Sequence, residues 1–114
     1  MDEHATPDRT STFDRGRLSG FSGGDPGLER ELVDLFLETA ALYVDRLKRA
    51  VDDPDAWRST AHALKGASAN IGAVAVAKLA AQQEQATPNL AALDSLVAEI
   101  AAVGALFDTG TTSI

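Results

Sequence analysis

The sequence predicts an all-α protein: an up-down-up-down four-helix bundle with a short extra N-terminal helix. Apolar residues recur at spacings of three and four through four long segments. Pro and Gly punctuate the gaps between them, and no segment alternates apolar and polar residues as a half-buried strand does. Alanine is abundant and β-branched residues are sparse, which favours helix over strand. Short turns make antiparallel neighbours, hence the bundle. The same pattern also allows an αα-hairpin that completes its core by dimerising.

Residues 1–12 read as a flexible N-terminal tail rich in Thr, Ser, Asp and Pro, residues 13–108 as the helical domain, and residues 109–114 as a frayed C-terminal tail. "FDRGRLSGF" suits a short helix capped by Asp14. "SGGDPG" is a turn, with Asp25 as cap and Pro26 at the first helical position. The first long helix runs from Leu28 to about Val51. Its expected inward stripe is Leu28, Leu32, Leu35, Phe36, Thr39, Leu42, Leu47 and Ala50, with Tyr43 at its edge and Glu29, Arg30, Asp34, Glu38, Asp45 and Lys48 on the solvated side. "DDPD" breaks it, and Asp53 with Pro54 starts the next helix, which ends at Ile71 before Gly72. Its stripe is Trp57, Ala61, Leu64, Ser68 and Ile71, with Trp57 as a core anchor. A third long helix covers about Ala73 to Ala86. After "TPN" a fourth carries Leu90, Leu93, Leu96, Val97, Ile100, Val103, Leu106 and Phe107.

Composition narrows the function. With 114 residues, 45% hydrophobic and 24% charged, the chain fits one globular domain. It has no cysteine, which removes disulfides, thiolate catalysis and Cys-bound zinc and fits a reducing compartment. A formal charge of −7 argues against nucleic acid as main partner. No apolar run is expected to reach the roughly 20 residues of a membrane-spanning helix. The polar, acidic start "MDEHATPDRTST" is unlike a signal peptide, and a cytoplasmic location is expected.

The stretch "AHALKGASAN", residues 61–70, places an imidazole among very small residues. At about 100° per residue, His62 lies about 140° from the centre of the Trp57–Ile71 stripe and points outward. Gly66 is one turn later on the same face, Ala69 is close by, and Lys65 flanks the ring. A solvated helix face normally fills with long polar side chains. Gly66 costs about 1 kcal/mol relative to alanine inside a helix. Open space for a partner surface, or for a bulky group on the ring, accounts for it. Neutral imidazole is nucleophilic near neutral pH, with an ordinary pKa of about 6.5, and a cation at Lys65 stabilises an oxyanion beside it. These residues suit an imidazole that receives a phosphoryl group. They also fit an incidental surface histidine on a non-catalytic helical adaptor that binds a partner through its small-residue face. Metal binding through His62 and Glu84 is a third reading, but there are only two histidines and His4 lies in the tail.

The run "AHALKGASANIGA", residues 61–73, resembles the central motif of histidine-containing phosphotransfer (HPt) domains: alanine, histidine, any residue, leucine, lysine, glycine, then small residues. "GDPGLERELVDLFLETAALYVDRLKRAV", residues 24–51, is similar to the preceding helix of that family, and "LAAQQEQA", residues 79–86, to the helix beside the histidine. The resemblance covers about residues 13–107. It implies that His62 is phosphorylated, at Nε2, that Lys65 assists the phosphoryl group, and that Gly66 leaves room for the partner. It also implies that Glu84 receives the Nδ1–H hydrogen bond and fixes the tautomer. Gln83 departs from the pattern, which has a leucine there, and a glutamine inside the bundle needs partners.

The resemblance further implies exchange of a phosphoryl group with the aspartate of a response-regulator receiver domain, one carried by a hybrid histidine kinase included. The chain has neither a P-loop glycine pattern nor a dense carboxylate cluster. It is therefore expected to bind no cofactor and no metal, to have no intrinsic kinase or ATPase activity, and to rely on Mg²⁺ held by the receiver. A receiver helix is expected to dock across His62, Gly66 and Ala69, with Ala73 and Ala77 extending that surface.

Overall fold

The computed structural model describes residues 13–112, with side chains described as far as Phe107. The tail expected over residues 1–12 lies outside the described residues, as do residues 113 and 114. The described residues form α1 (Arg15–Ser22), α2 (Pro26–Arg49), α3 (Pro54–Ile71), α4 (Val74–Gln85), a 3₁₀ turn at Leu90–Ala92 and α5 (Leu93–Thr112), with no strand among them. The backbone of α5 continues to Thr112, past the boundary drawn at residue 108.

Local chemistry sets the helix starts. The Asp14 carboxylate accepts from the backbone N–H of Gly16 and Arg17, Asp25 from Gly27 and Leu28, and Asp53 from Ala56. Each takes up donors that an α-helix leaves unpaired in its first turn. Pro26 and Pro54 follow the second and third of these caps, where a missing N–H costs nothing.

Gly72 ends α3. Its φ of +100° is left-handed, and its N–H reaches back to the carbonyls of Ser68 and Ala69. A Cβ there would also stand 2.5 Å from the Asp14 carbonyl oxygen. That close approach lets Asp14 N–H bond the Gly72 carbonyl at 2.7 Å, which seats α1 against the end of α3. Only glycine satisfies both demands.

The turn at Gly72 and Ala73 folds α4 back along α3. Helix α3 packs on α2 and α4, and α5 packs on the same two, so the four longer helices close a ring around one core. Contacts of Arg30 with Phe107 and of Leu37 with Gly104, together with a groove shared by Lys48 and Asp94, show that α2 and α5 run antiparallel. The core joins Leu18 of α1, Val33, Phe36, Ala40 and Leu47 of α2, Trp57, Ala61, Leu64 and Ile71 of α3, Val76 and Ala80 of α4, and Leu93, Leu96 and Val103 of α5. Trp57 is fully buried, as expected of a core anchor. Ser68, also buried, returns its hydroxyl to the Leu64 carbonyl at 2.7 Å, so the hydroxyl is not left unpaired in the core.

Two sequence expectations are corrected. On α2 the buried stripe is Val33, Phe36, Ala40, Val44 and Leu47, while Leu28, Leu35 and Leu42 are exposed. The three leucines recur every seven residues and lie about 140° from the buried stripe. The buried stripe mixes large and small apolar residues, so side-chain size alone does not pick the inward face. Second, one apolar run does reach membrane-spanning dimensions. Leu90–Phe107 is 18 residues long with a mean hydropathy of 1.9, long and apolar enough by length and composition. Asp94 and Glu99 lie within it, and Leu93, Leu96 and Val103 form the side packed into the bundle. Leu90 and Val97, expected inside, are exposed.

Candidate functional site

Helix α3 presents His62 from its middle, ten residues before Gly72, and α4 brings Glu84 back to meet it from the other side of the turn. The ring Nδ1 lies 2.7 Å from Glu84 Oε2, and Lys65 Nζ lies 2.9 Å from Glu84 Oε1. One carboxylate thus holds both α3 side chains, one on each oxygen. Its side chain is only 16% exposed, whereas that of His62 is 66% exposed.

The hydrogen bonds from Lys65 and then His62 hold the Glu84 carboxyl below the ordinary value of 4.5, against the smaller upward pull of desolvation. Glu84 is therefore ionised near neutral pH and can only accept hydrogen bonds. Nδ1 of His62 must be the donor. In the neutral ring this leaves the Nε2 lone pair unprotonated, on the edge that no protein hydrogen bond occupies among the described residues.

Gly66, one turn from His62, is exposed, and a Cβ built there would meet nothing within 4 Å. Its space opens outward, not onto a neighbouring helix. Ala69 is exposed on the same face, and Ala77 on α4 is half-buried. Ala73, expected to extend this surface, does not: it is fully buried, with its N–H on the Ser68 carbonyl at 2.8 Å. The left-handed Gly72 ends the helical periodicity before Ala73 and turns that residue inward.

Sequence reasoning missed a neighbouring feature. Phe21 of α1 and Leu35 of α2, 57% and 60% exposed, line an open groove of about 280 Å³ with Leu32, Thr39, Ala67 and Asn70. On α3, Asn70 is only about 40° around the axis from Gly66, so the groove adjoins the His62 face. The signal available in the sequence was the seven-residue recurrence of Leu28, Leu35 and Leu42, which marks a second apolar stripe.

Gln83 is placed as its departure from the motif suggested. Its Oε1 is buried without a protein hydrogen-bond partner among the described residues, while its backbone carbonyl accepts from the Trp57 indole at 3.1 Å. Among the described residues, no three His, Cys, Asp or Glu side chains gather into a metal-ligand set, and His4 lies outside those residues. A metal held by His62 and Glu84 would lack further side-chain ligands of these types there.

The Hpt domain family model matches residues 31–108, and the chain belongs to that family. Among solved structures, histidine-containing phosphotransfer protein B from Pseudomonas aeruginosa PAO1 is similar, with a TM-score of 0.75 and 25% sequence identity. The match covers 90% of this chain and 96% of that one. No match was found among curated proteins.

Proposed function

We propose that this protein is a phosphocarrier of a two-component phosphorelay, with its long helices in an up-down-up-down bundle and His62 as the phosphorylated residue. The observation that carries the reading is the 2.7 Å contact of His62 Nδ1 with Glu84, which leaves Nε2 as the free, outward nucleophile. The Nε2 lone pair attacks the phosphorus of an aspartyl phosphate on a response-regulator receiver domain. The N–P bond forms as the P–O bond to the aspartate breaks, and the receiver regains its carboxylate. The ring then carries positive charge, which the Glu84 carboxylate stabilises through Nδ1–H. Lys65 supplies a cation for the equatorial phosphoryl oxygens. Return transfer reverses each step.

The chain brings a nucleophile, one cation and an orienting carboxylate. Mg²⁺ and the catalytic carboxylates come with the receiver, and the work is done in the cytoplasm. The receiver approaches over His62, Gly66 and Ala69, with Ala77 at one margin and the Phe21–Leu35 groove at the other.

Incubation with a receiver domain carrying radiolabelled phosphate tests the reading. The chain should take up label that survives base and is lost in acid, as a phosphohistidine does. The His62→Gln variant should take up none, and undiminished labelling of that variant overturns the assignment.

A further inference from the structure

We propose that Trp57 is a positioning residue for phosphotransfer, which holds Glu84, and through it the His62 tautomer, by the hydrogen bond of its indole N–H to the Gln83 carbonyl. The inference rests on the reading of His62 as the nucleophile. Helix α4 is only 12 residues long and has no side-chain cap at its N-terminus. The residue that caps its C-terminus, Ala86, is extended at φ −102° and ψ 161°, so no left-handed glycine closes the helix. The fully buried residues of α4, Val76 and Ala80, both precede the last turn, the turn that carries Glu84.

An α-helix leaves its last four carbonyls without intrahelical partners, and Gln83 contributes one of these. Two donors converge on it: Ala86 N–H at 3.2 Å and Trp57 Nε1–H at 3.1 Å. The first stays within the local chain. The second comes from α3, five residues before His62, from a side chain with no solvent exposure. The indole therefore adds a buried tie between the end of α4 and the helix that carries the nucleophile, beside the exposed pairing of Glu84 with His62 and Lys65. It does so one residue away from the carboxylate that orients it. Trp57 touches neither His62 nor the phosphoryl group in this scheme. It acts by fixing where Glu84 stands.

The test replaces Trp57 with its benzothienyl analogue, which keeps the bicyclic bulk and removes the N–H donor, and in parallel makes Trp57→Phe. Ring ¹⁵N spectra of unphosphorylated His62 report the tautomer directly, with Glu84→Gln defining the state without the carboxylate. The wild-type chain should show the Nδ1–H form. The analogue, still folded, should move part of the way to the Glu84→Gln spectrum and accept phosphate about threefold to tenfold more slowly, the range for one neutral hydrogen bond. A folded analogue with a wild-type tautomer overturns the positioning role, even if it melts at a lower temperature. The spectra need no phosphate. Failure of the wild-type chain to accept phosphate would therefore strike the phosphocarrier reading separately.

Discussion

Glu84 Oε2 lies 2.7 Å from His62 Nδ1 although the two residues are 22 positions apart and on different helices. The same carboxylate pairs Lys65, and the two partners lower its pKa from the ordinary 4.5. A carboxyl whose pKa is lower in the folded than in the unfolded chain binds fewer protons when folded. Its contribution to stability is complete above the unfolded value and is lost as pH falls through the folded one. Denaturant unfolding of wild type and Glu84→Gln should therefore show a constant gap in favour of wild type above about pH 4.5, narrowing below it. A gap that persists unchanged into strong acid would mean that the ionised carboxylate is not what holds the two partners.

Gly66 should separate stability from transfer. A methyl group there meets no atom within 4 Å, and alanine is the better helix former. Gly66→Ala should raise stability by about 1 kcal/mol, read as a Tm increase of about 5 °C. Against a receiver the same methyl group overpacks the contact, at about 1–3 kcal/mol, so transfer should slow by about fivefold or more. Opposite signs in the two measurements mark space kept for a partner. A variant that is more stable and transfers at the wild-type rate would remove Gly66 from the docking face.

The parts of this fold that were legible in the sequence are those decided by neighbours in the chain. Helix α3 begins and ends where Asp53, Pro54 and Gly72 punctuate it, and His62 and Lys65 share a helix, so their outward placement follows from spacing. Which face of α2 is buried does not follow from leucine content, because it is set by where two helices and α1 pack, and they cover Val33, Phe36, Ala40, Val44 and Leu47. Pairing of Glu84 with His62 depends on the length of the Gly72 turn and the register of α4. Motif resemblance carried that assignment, and periodicity could not have. The Phe21–Leu35 groove is assembled from three helices, so the leucine recurrence on α2 marks an exposed apolar stripe but not the groove itself.

Gln83 marks a place where the sequence does not optimise stability. Its Oε1 is buried without a protein hydrogen-bond partner among the described residues, an arrangement that costs free energy. Gln83→Leu keeps the backbone carbonyl that Trp57 uses and removes the unpaired acceptor. The variant should be more stable by about 1 kcal/mol, with Tm higher by about 5 °C. Phosphate uptake should be unchanged, because Glu84 keeps its backbone anchor. A less stable leucine variant would show that the carboxamide has a partner in solution.

Leu35 tests whether the groove beside His62 belongs to the docking surface. It is 60% exposed, so Leu35→Glu should leave the fold within about 0.5 kcal/mol of wild type. If a receiver covers the groove, a buried carboxylate there should weaken receiver binding by more than about 1 kcal/mol, about fivefold, with the rate at saturating receiver retained. Added negative charge on an already acidic chain could by itself slow encounter with a partner. Leu42→Glu supplies the comparison: it adds the same charge at a residue 62% exposed on the same helix that does not line the groove. Titration calorimetry of both variants against one receiver should show the loss for Leu35→Glu alone. Equal losses would reduce the effect to charge, and no loss in either would place the receiver elsewhere on the His62 face.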